Sequence, residues 1–362
     1  MNIEEASSNK DLKAHYKKYT KRKIIFISLC VVAAVVSVGL SVSIGGRNIE
    51  FFQVYGTIFD HISGKSFMPG TSEWMDDFII WNVRVPRAVF AAVAGAGLAV
   101  AGAVMQSVMK NPLADPYTTG ISSGACFGVA VAMVLGLTAF SGAGQYGVVL
   151  NAFIFAMVPM ALIVVLAPVS NRSPATLILA GVALSYLFNA LNTLLLITTD
   201  AEKLASVYRW QIGSFADITW ESIPLMFIIT VAGLTVIFLL SRQLNLMALG
   251  DQHAKSMGLD ANSLRVVCLI IMSLMVASVI AYAGIIGFIG LVSPHIVRMV
   301  IDADNKFVIP ASAAFGAAFL MIADLISRML SDLGAVPVGV VISFIGAPIF
   351  LYLIITQRRS MW

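Results

Sequence analysis

The stretch from Arg84 to Pro116, RVPRAVFAAVAGAGLAVAGAVMQSVMKNPLADP, constrains this chain more than any other. Two arginines, Arg84 and Arg87, stand at one end. An uncharged run rich in Ala, Gly and Val follows. A helix of about 20 apolar residues matches a hydrocarbon core about 30 Å thick. The far end is a rigid polar knot, Asn111-Pro112-Leu113-Ala114-Asp115-Pro116. The stretch therefore predicts a membrane helix with both ends marked.

Many other blocks have the same length. The chain of 362 residues is 59% hydrophobic and 12% charged, whereas soluble domains carry about 25% charged residues. In lipid each backbone polar group must be satisfied within the span, and these blocks exceed barrel-strand length. The expected fold class is an all-α polytopic membrane protein. Ten spans are predicted, near 24–45, 84–108, 117–138, 147–169, 174–197, 222–241, 263–282, 284–300, 308–328 and 337–356. They leave a basic cytoplasmic segment at 1–23, one transmembrane domain at 24–356 and a cytoplasmic tail at 357–362. The positive-inside rule keeps the lysine-rich start inside. An even number of spans then puts both termini inside, with 16 of the 23 Lys and Arg on that side. The net charge of +4 argues for orientation, not for a nucleic-acid partner.

Chemistry-bearing motifs are sparse. Cys30, Cys126 and Cys268 lie singly in apolar segments and predict small buried thiols. His15, His61, His253 and His295 make no metal set. No phosphate-binding loop or HExxH pattern occurs. Asp324 is the only acid inside a late span, so the paired carboxylates of a proton relay are missing. An ion-coupled secondary transporter is the rival from another class. It should show charged or broken helices at mid-membrane.

Gly95, Ala99 and Ala103 recur every four residues. They predict a flat face that lets helices approach closely, and hence a helix central in a bundle. Arg84 and Arg87 share a helix face, and Pro86 sits in the first turn, where a missing N–H costs little. Two readings stay open for them: an interfacial anchor, or a basic rim that meets an acidic partner. Arg328 is a third outer-end arginine, and an ion pair with Asp324 four residues earlier is its alternative use. Pro112 and Pro116 forbid helix in the knot, which predicts a short, stiff turn.

Two outer connections, 46–83 and 198–221, hold Trp74, Trp81, Trp210 and Trp220, and an interfacial helix is expected in the first. The inner connection 242–265, RQLNLMALGDQHAKSMGLDANSLR, is too long to be a plain joint, since helix connections need about 2–8 residues. Its middle fits a short helix closed by Gly258, an element built to dock.

In order along the chain stand RVPR at 84–87, GAGLAVAGAVMQ, NPLADP, GISSGA at 120–125, LILAGVAL at 177–184, WQIGSF at 210–215, LGDQHAKSMGLD, GFIGLVSPHIVR at 287–298 and GAPIF at 346–350. Together these motifs resemble the FecCD family, the membrane subunits of type II ABC importers for iron–siderophore, haem and vitamin B12. The resemblance covers nearly the whole chain after residue 45. It implies about ten helices in two inverted four-helix halves, spans 2–5 and 7–10. It implies a transport subunit with no catalytic residue, no metal site and no cofactor of its own. ATP and Mg would be used by two cytoplasmic ATPase subunits. The other implied partners are a second permease, identical or a close paralogue, an extracytoplasmic substrate-binding protein and the lipid membrane. Ferric siderophore is the first expected cargo, with vitamin B12 or haem as alternatives.

The resemblance also implies residue roles. Arg84, Arg87 and Arg328 would dock the binding protein. Asn111 and Leu113 would help close the cytoplasmic gate. Pro174 and Ala175 fall at the other gate turn, where relatives often carry small hydroxyl residues, so Ser173 beside them is a substitute. Leu249, Gly250, Asp251, His253, Ala254, Met257 and Gly258 would form the helix that couples to the ATPase.

Overall fold

Among the described residues, eight helices are long and apolar enough to cross a membrane. The computed structural model describes residues 3–45, 47, 49–139, 145–166, 174–330 and 336–356. The expected tail at 357–362 lies outside the described residues. The chain begins with α1 (Ile3–Ser43), which runs unbroken from the basic segment into the first span. The boundary expected near residue 23 is therefore not a break in the helix. Two short helices follow, α2 (Phe51–Ile62) and α3 (Ser72–Ile79). One widened helical turn at 80–84 then feeds α4 (Val85–Met109). After it come α5 (Ile121–Leu135), α6 (Gln145–Leu166), α7 (Pro174–Ile197), α8 (Ala201–Gln211) and α9 (Ile223–Leu239). The rest of the chain forms α10 (Ser241–Ala248), α11 (Asp251–Ser256), α12 (Ala261–Ala283), α13 (Ile289–Ile301), α14 (Asn305–Met329) and α15 (Val338–Thr356).

Two expected spans are shorter than their apolar blocks. At about 1.5 Å per residue, α5 and α13 reach only about 20–22 Å. Each follows a break in the α-helix: a 3-10 turn at 116–119 before α5, and irregular chain at 284–288, with Gly284 and Phe288 at positive φ, before α13. Each is also the second helix in a set of four, α4–α7 and α12–α15. Bare backbone at membrane depth is tolerated only where protein satisfies it. Here the Gly213 N–H donates to the Ile285 carbonyl at 3.1 Å, and the Ser214 N–H to the Ala283 carbonyl at 2.8 Å. The Gly339 N–H in turn donates to the Gly213 carbonyl at 2.9 Å.

The centre of the bundle is α4, buried without interruption from Leu98 to Met109. Its small residues explain how. A Cβ at Gly102 would stand 1.7 Å from the Gly290 carbonyl oxygen, and one at Gly95 would stand 2.3 Å from that of Gly316. The α4 backbone thus touches α13 and α14 directly. Ala99 faces the same Gly316, and Ala103 packs with Val297, Ile301, Val308 and Ala311. The flat face expected from the four-residue spacing is a helix-packing face. Cys30, Cys126 and Cys268 are free and buried, as expected.

The tryptophans of the two long connections meet. The Trp220 indole N–H donates to the Trp81 carbonyl at 2.7 Å, and the two rings lie 5.2 Å apart. His61 stacks on Trp81 at 4.2 Å and reaches the Asp77 carboxylate at 2.8 Å. This cluster ties α2, the 80–84 turn and the start of α9 together.

Candidate functional site

The marked residues gather at the two ends of α4. At the arginine end two guanidinium groups, those of Arg87 and Arg328, share one carboxylate, and a third, that of Arg84, lies nearby. Arg87 donates two hydrogen bonds to Asp324 Oδ1, at 2.7 and 2.9 Å, and Arg328 Nε lies 3.3 Å from Asp324 Oδ2. Asp324 is fully buried. Arg328 also donates to the Ile44 carbonyl at 3.1 Å and the Ser41 hydroxyl at 2.6 Å. Arg84 is turned inward. It donates to the carbonyls of Val42 and Ser43 at 2.8 and 2.7 Å, and also to that of Arg47. The physical reason is that α1 ends there. The last carbonyls of a helix have no intrahelical donor, and a guanidinium supplies several. The local ion pair weighed for Arg328 is therefore present, whereas Arg84 is spent on the end of α1, a use the sequence did not suggest. The long-range pairing of Arg87 with Asp324 had one signal only, an acid isolated in a late span.

At the knot end the chain turns sharply. Lys110 caps α4 in the left-handed region, φ 50°. The Asn111 side chain accepts the Leu113 N–H at 2.9 Å, while the Ala114 N–H donates to the Asn111 carbonyl at 3.1 Å. Asp115 accepts the Tyr117 N–H at 3.0 Å and so caps the 116–119 turn. Burial pushes the Asp115 carboxyl up to about 6, and the Tyr117 N–H offsets part of that rise. Asn111 is thus spent on the turn itself, and Leu113 stands 46% exposed. The Tyr117 hydroxyl donates to the Ile286 carbonyl at 2.9 Å, joining the knot to the irregular stretch before α13. On the other side Gly181 of α7 lies against Thr118 and Thr119, where a Cβ would sit 2.4 Å from the Thr118 oxygen. The 116–119 turn that follows the knot therefore meets α7 at Gly181. Pro174 opens α7, Ala175 is exposed, and Ser173 lies outside the described residues.

The long connection is fully structured. Leu244 and Met247 of α10 are buried, and Asn245 clasps the start of α14. Its side chain donates to Asp304 at 2.7 Å and accepts the Asn305 N–H at 2.8 Å. Gly250, at φ +115°, then bends the chain into α11. The end of α11 is closed as the sequence predicts. Gly258 has φ +82°, its N–H donates to the Lys255 carbonyl, and the Leu259 N–H donates to the Ala254 carbonyl, both at 3.0 Å. That pair of bonds is a Schellman closure. Ala254 faces inward, while His253 is exposed and Leu249 and Met257 stand 67% and 69% exposed. Two large apolar side chains flank a six-residue helix with nothing over them in the isolated chain.

Asp251 holds this helix down. Its carboxylate accepts from Lys110 Nζ at 2.6 Å and from Arg265 at 2.9 and 3.1 Å. Burial alone would raise this carboxyl, but the bonds and charges of Lys110 and Arg265 outweigh it and leave it below the ordinary value. No sequence signal pairs Lys110 with Asp251. They lie 141 residues apart.

Residues 25–356 match the FecCD transport family. The chain belongs to that family. It is 36% identical to an ABC transporter permease protein of Methanocaldococcus jannaschii, over 97% of this chain and 100% of the relative. It is 32% identical to the iron(3+)-hydroxamate import system permease protein FhuB of Bacillus subtilis, over 93% of this chain and 84% of that one. Among solved structures it superposes on an inward-facing metal-chelate type ABC transporter with a TM-score of 0.79 and 31% identity. The match covers 91% of this chain and 99% of the other. This FecCD chain is accordingly a multi-pass permease of the ABC importer type, a transport component rather than an enzyme. Its family works with ATPase subunits and a second permease.

Proposed function

We propose that this FecCD permease carries a metal chelate inward, delivered by a substrate-binding protein and driven by ATP. Ferric siderophore is the first candidate cargo, with vitamin B12 or haem as alternatives within the family. One observation carries the reading. A short helix, α11, is pinned to the bundle by its first residue and presents Leu249 and Met257 outward. Apolar side chains held out on a structured connection are what a partner subunit needs for docking.

The knot end is assigned to the cytoplasm and the arginine end to the outside, on the bias of Lys and Arg. ATP binding closes two ATPase subunits on a pair of permeases, identical or paralogous, and moves α11. The spans rock, and access alternates between the two sides. Asn111, Leu113 and the 173–175 turn, with Ser173, Pro174 and Ala175, form the inner gate. Leu249, Gly250, Asp251, His253, Ala254, Met257 and Gly258 form the coupling surface. The chain hydrolyses nothing and leaves its cargo chemically unchanged.

At the outer end Arg84, Arg87 and Arg328 outnumber Asp324 by three charges to one. A carboxylate of the binding protein brought to this rim meets net positive charge. Arg87 and Arg328 supply that charge, and Arg84 shapes the rim through the α1 carbonyls it holds.

The test is reconstitution with the ATPase and binding protein. Uptake of a ferric hydroxamate, cobalamin and haem should favour one of the three. Uptake that persists with a catalytically dead ATPase would overturn the ATP-driven reading. Arg87→Glu should weaken binding-protein capture and make the residual binding less steeply salt-weakened. Capture equal to that of the unsubstituted chain would refute the rim.

A further inference from the structure

We propose that Asp251 is the joint through which motion of α11 reaches the inner gate. This rests on the reading of α11 as the coupling helix. Asp251 is the first residue of α11 and grips two other elements at once. Lys110 is the last residue before the knot, at the foot of α4. Arg265 is in the second turn of α12, with its side chain only 2% exposed. A guanidinium so buried is costly unless an anion faces it. Asp251 supplies that anion, and Asn262 accepts a further bond from Arg265 at 3.0 Å. The contacts to Lys110 and Arg265 are charge-assisted, and such bonds are about twice as strong as neutral ones.

The surroundings make these bonds a point of transmission. A cleft of about 600 Å³ lies between α11 and the first turn of α12, lined by Gln252, Lys255, Gly258, Asp260 and Asn262 as well as Asp251. A push on α11 reaches the bundle through Ala254, which packs in the core, and through the carboxylate, which spans this cleft. Lys110 carries the other arm. Its left-handed backbone is the hinge between the straight α4 and the turn of Asn111, so a pull on its ammonium acts on the first residue of the gate. Two cations share one carboxylate. When α11 shifts, the carboxylate can move toward one and away from the other without leaving either unpaired in the resting state. Asp251 is a positioning residue on this account. It touches no cargo and no nucleotide.

The experiment uses the whole complex in lipid, with ATPase subunits and binding protein present. A cysteine at the exposed gate position, Leu113→Cys, reports the gate through its rate of reaction with a membrane-impermeant maleimide. The native cysteines are buried and contribute little. The rate is read with and without Mg–ATP. Lys110→Gln, which lies outside the coupling helix, should keep ATPase association and hydrolysis. It should cut the ATP-dependent change in labelling by roughly fivefold or more. Lys110→Arg, which keeps the charge, should restore it. Asp251→Asn should cut the response at least as far as Lys110→Gln.

A full response in Lys110→Gln overturns the joint. So does an equal loss in Lys110→Gln and Lys110→Arg, since that marks shape rather than charge as the determinant. If Lys110→Gln does not fold, the response of Asp251→Asn decides, and an undiminished one overturns the joint. Absence of any bound ATPase in the unsubstituted complex is a different outcome. It refutes the coupling-helix reading and leaves the joint without a function.

Discussion

The two ends of α4 hold similar charges in opposite ways. At the arginine end, Arg84, Arg87 and Arg328 are turned into the helix bundle and fastened to Asp324 and to the last carbonyls of α1. Every element in that cluster is itself part of the packed bundle. At the knot end, Lys110 reaches out of the bundle to Asp251 on a six-residue helix whose outer face is bare. The same chemistry, a cation on a carboxylate, therefore locks one end of the helix and links the other. A bolt and a hinge differ in what lies on the far side of the ion pair.

That contrast can be broken by substitution. The largest effect is expected in the shared middle, at Gly102→Val. The new side chain meets the Gly290 carbonyl oxygen of α13, a backbone atom that cannot rotate away. Overpacking of ordinary cores costs about 1–3 kcal/mol, and this site should reach or exceed the upper figure. Thermal unfolding in detergent checks it, and an unchanged midpoint would mean the crossing has slack.

Asp324→Asn comes next. It leaves Arg87 and Arg328 facing a neutral amide inside the bundle. Breaking a buried pair by removing one partner costs about 3–5 kcal/mol. The loss should appear in stability while the ATP-dependent response of the gate survives in the folded fraction. A variant that is stable yet uncoupled would erase the difference between bolt and hinge.

Asp115→Asn probes the knot end through pH. The folded carboxyl is raised to about 6 by burial, so the fold favours its protonated form. That contribution is fully present below about pH 4, the unfolded value, and is lost as pH rises through about 6. The amide keeps an acceptor for the Tyr117 N–H and carries no charge. Asp115→Asn should therefore be stabilising at pH 8 by no more than about 3 kcal/mol and nearly neutral at pH 4. Equal midpoint shifts at the two pH values would contradict a half-buried carboxyl that titrates with a raised pKa.

The smallest effect is expected at Trp220→Phe, which keeps the ring and removes the donor to the Trp81 carbonyl. A loss of about 1 kcal/mol is expected from one neutral hydrogen bond. Comparison of unfolding midpoints is sufficient to detect it.

Much of this was legible in the residues. Span-length apolar blocks dictate helices because lipid offers the backbone no other partner, and the long helices fall where those blocks lie. The flat face of Gly95, Ala99 and Ala103 was visible from spacing, because small residues in a membrane helix have few other uses. The Gly258 closure of α11 was visible too, since a left-handed cap favours Gly. Other features were not. The shortening of α5 and α13 depends on backbone bonds to distant segments, such as Gly213 to Ile285, and hydropathy carries no trace of them. The inward turn of Arg84 depends on where α1 ends. The grip of Asp251 on Lys110 and Arg265 depends on three elements meeting, and none of the three residues is unusual in its own neighbourhood.

The contact between Gly102 and Gly290 bears on how such a chain can move at all. Two backbones with no side chain between them are in direct contact over a small area, and neither can gain a Cβ there without driving it into the other. Helices α4 and α13 pack as one piece, with α14 held to the same piece through Gly95 and Gly316. The flexible parts of the cycle are then confined to what surrounds that block, and the number of shapes open to the chain is set by its smallest residues.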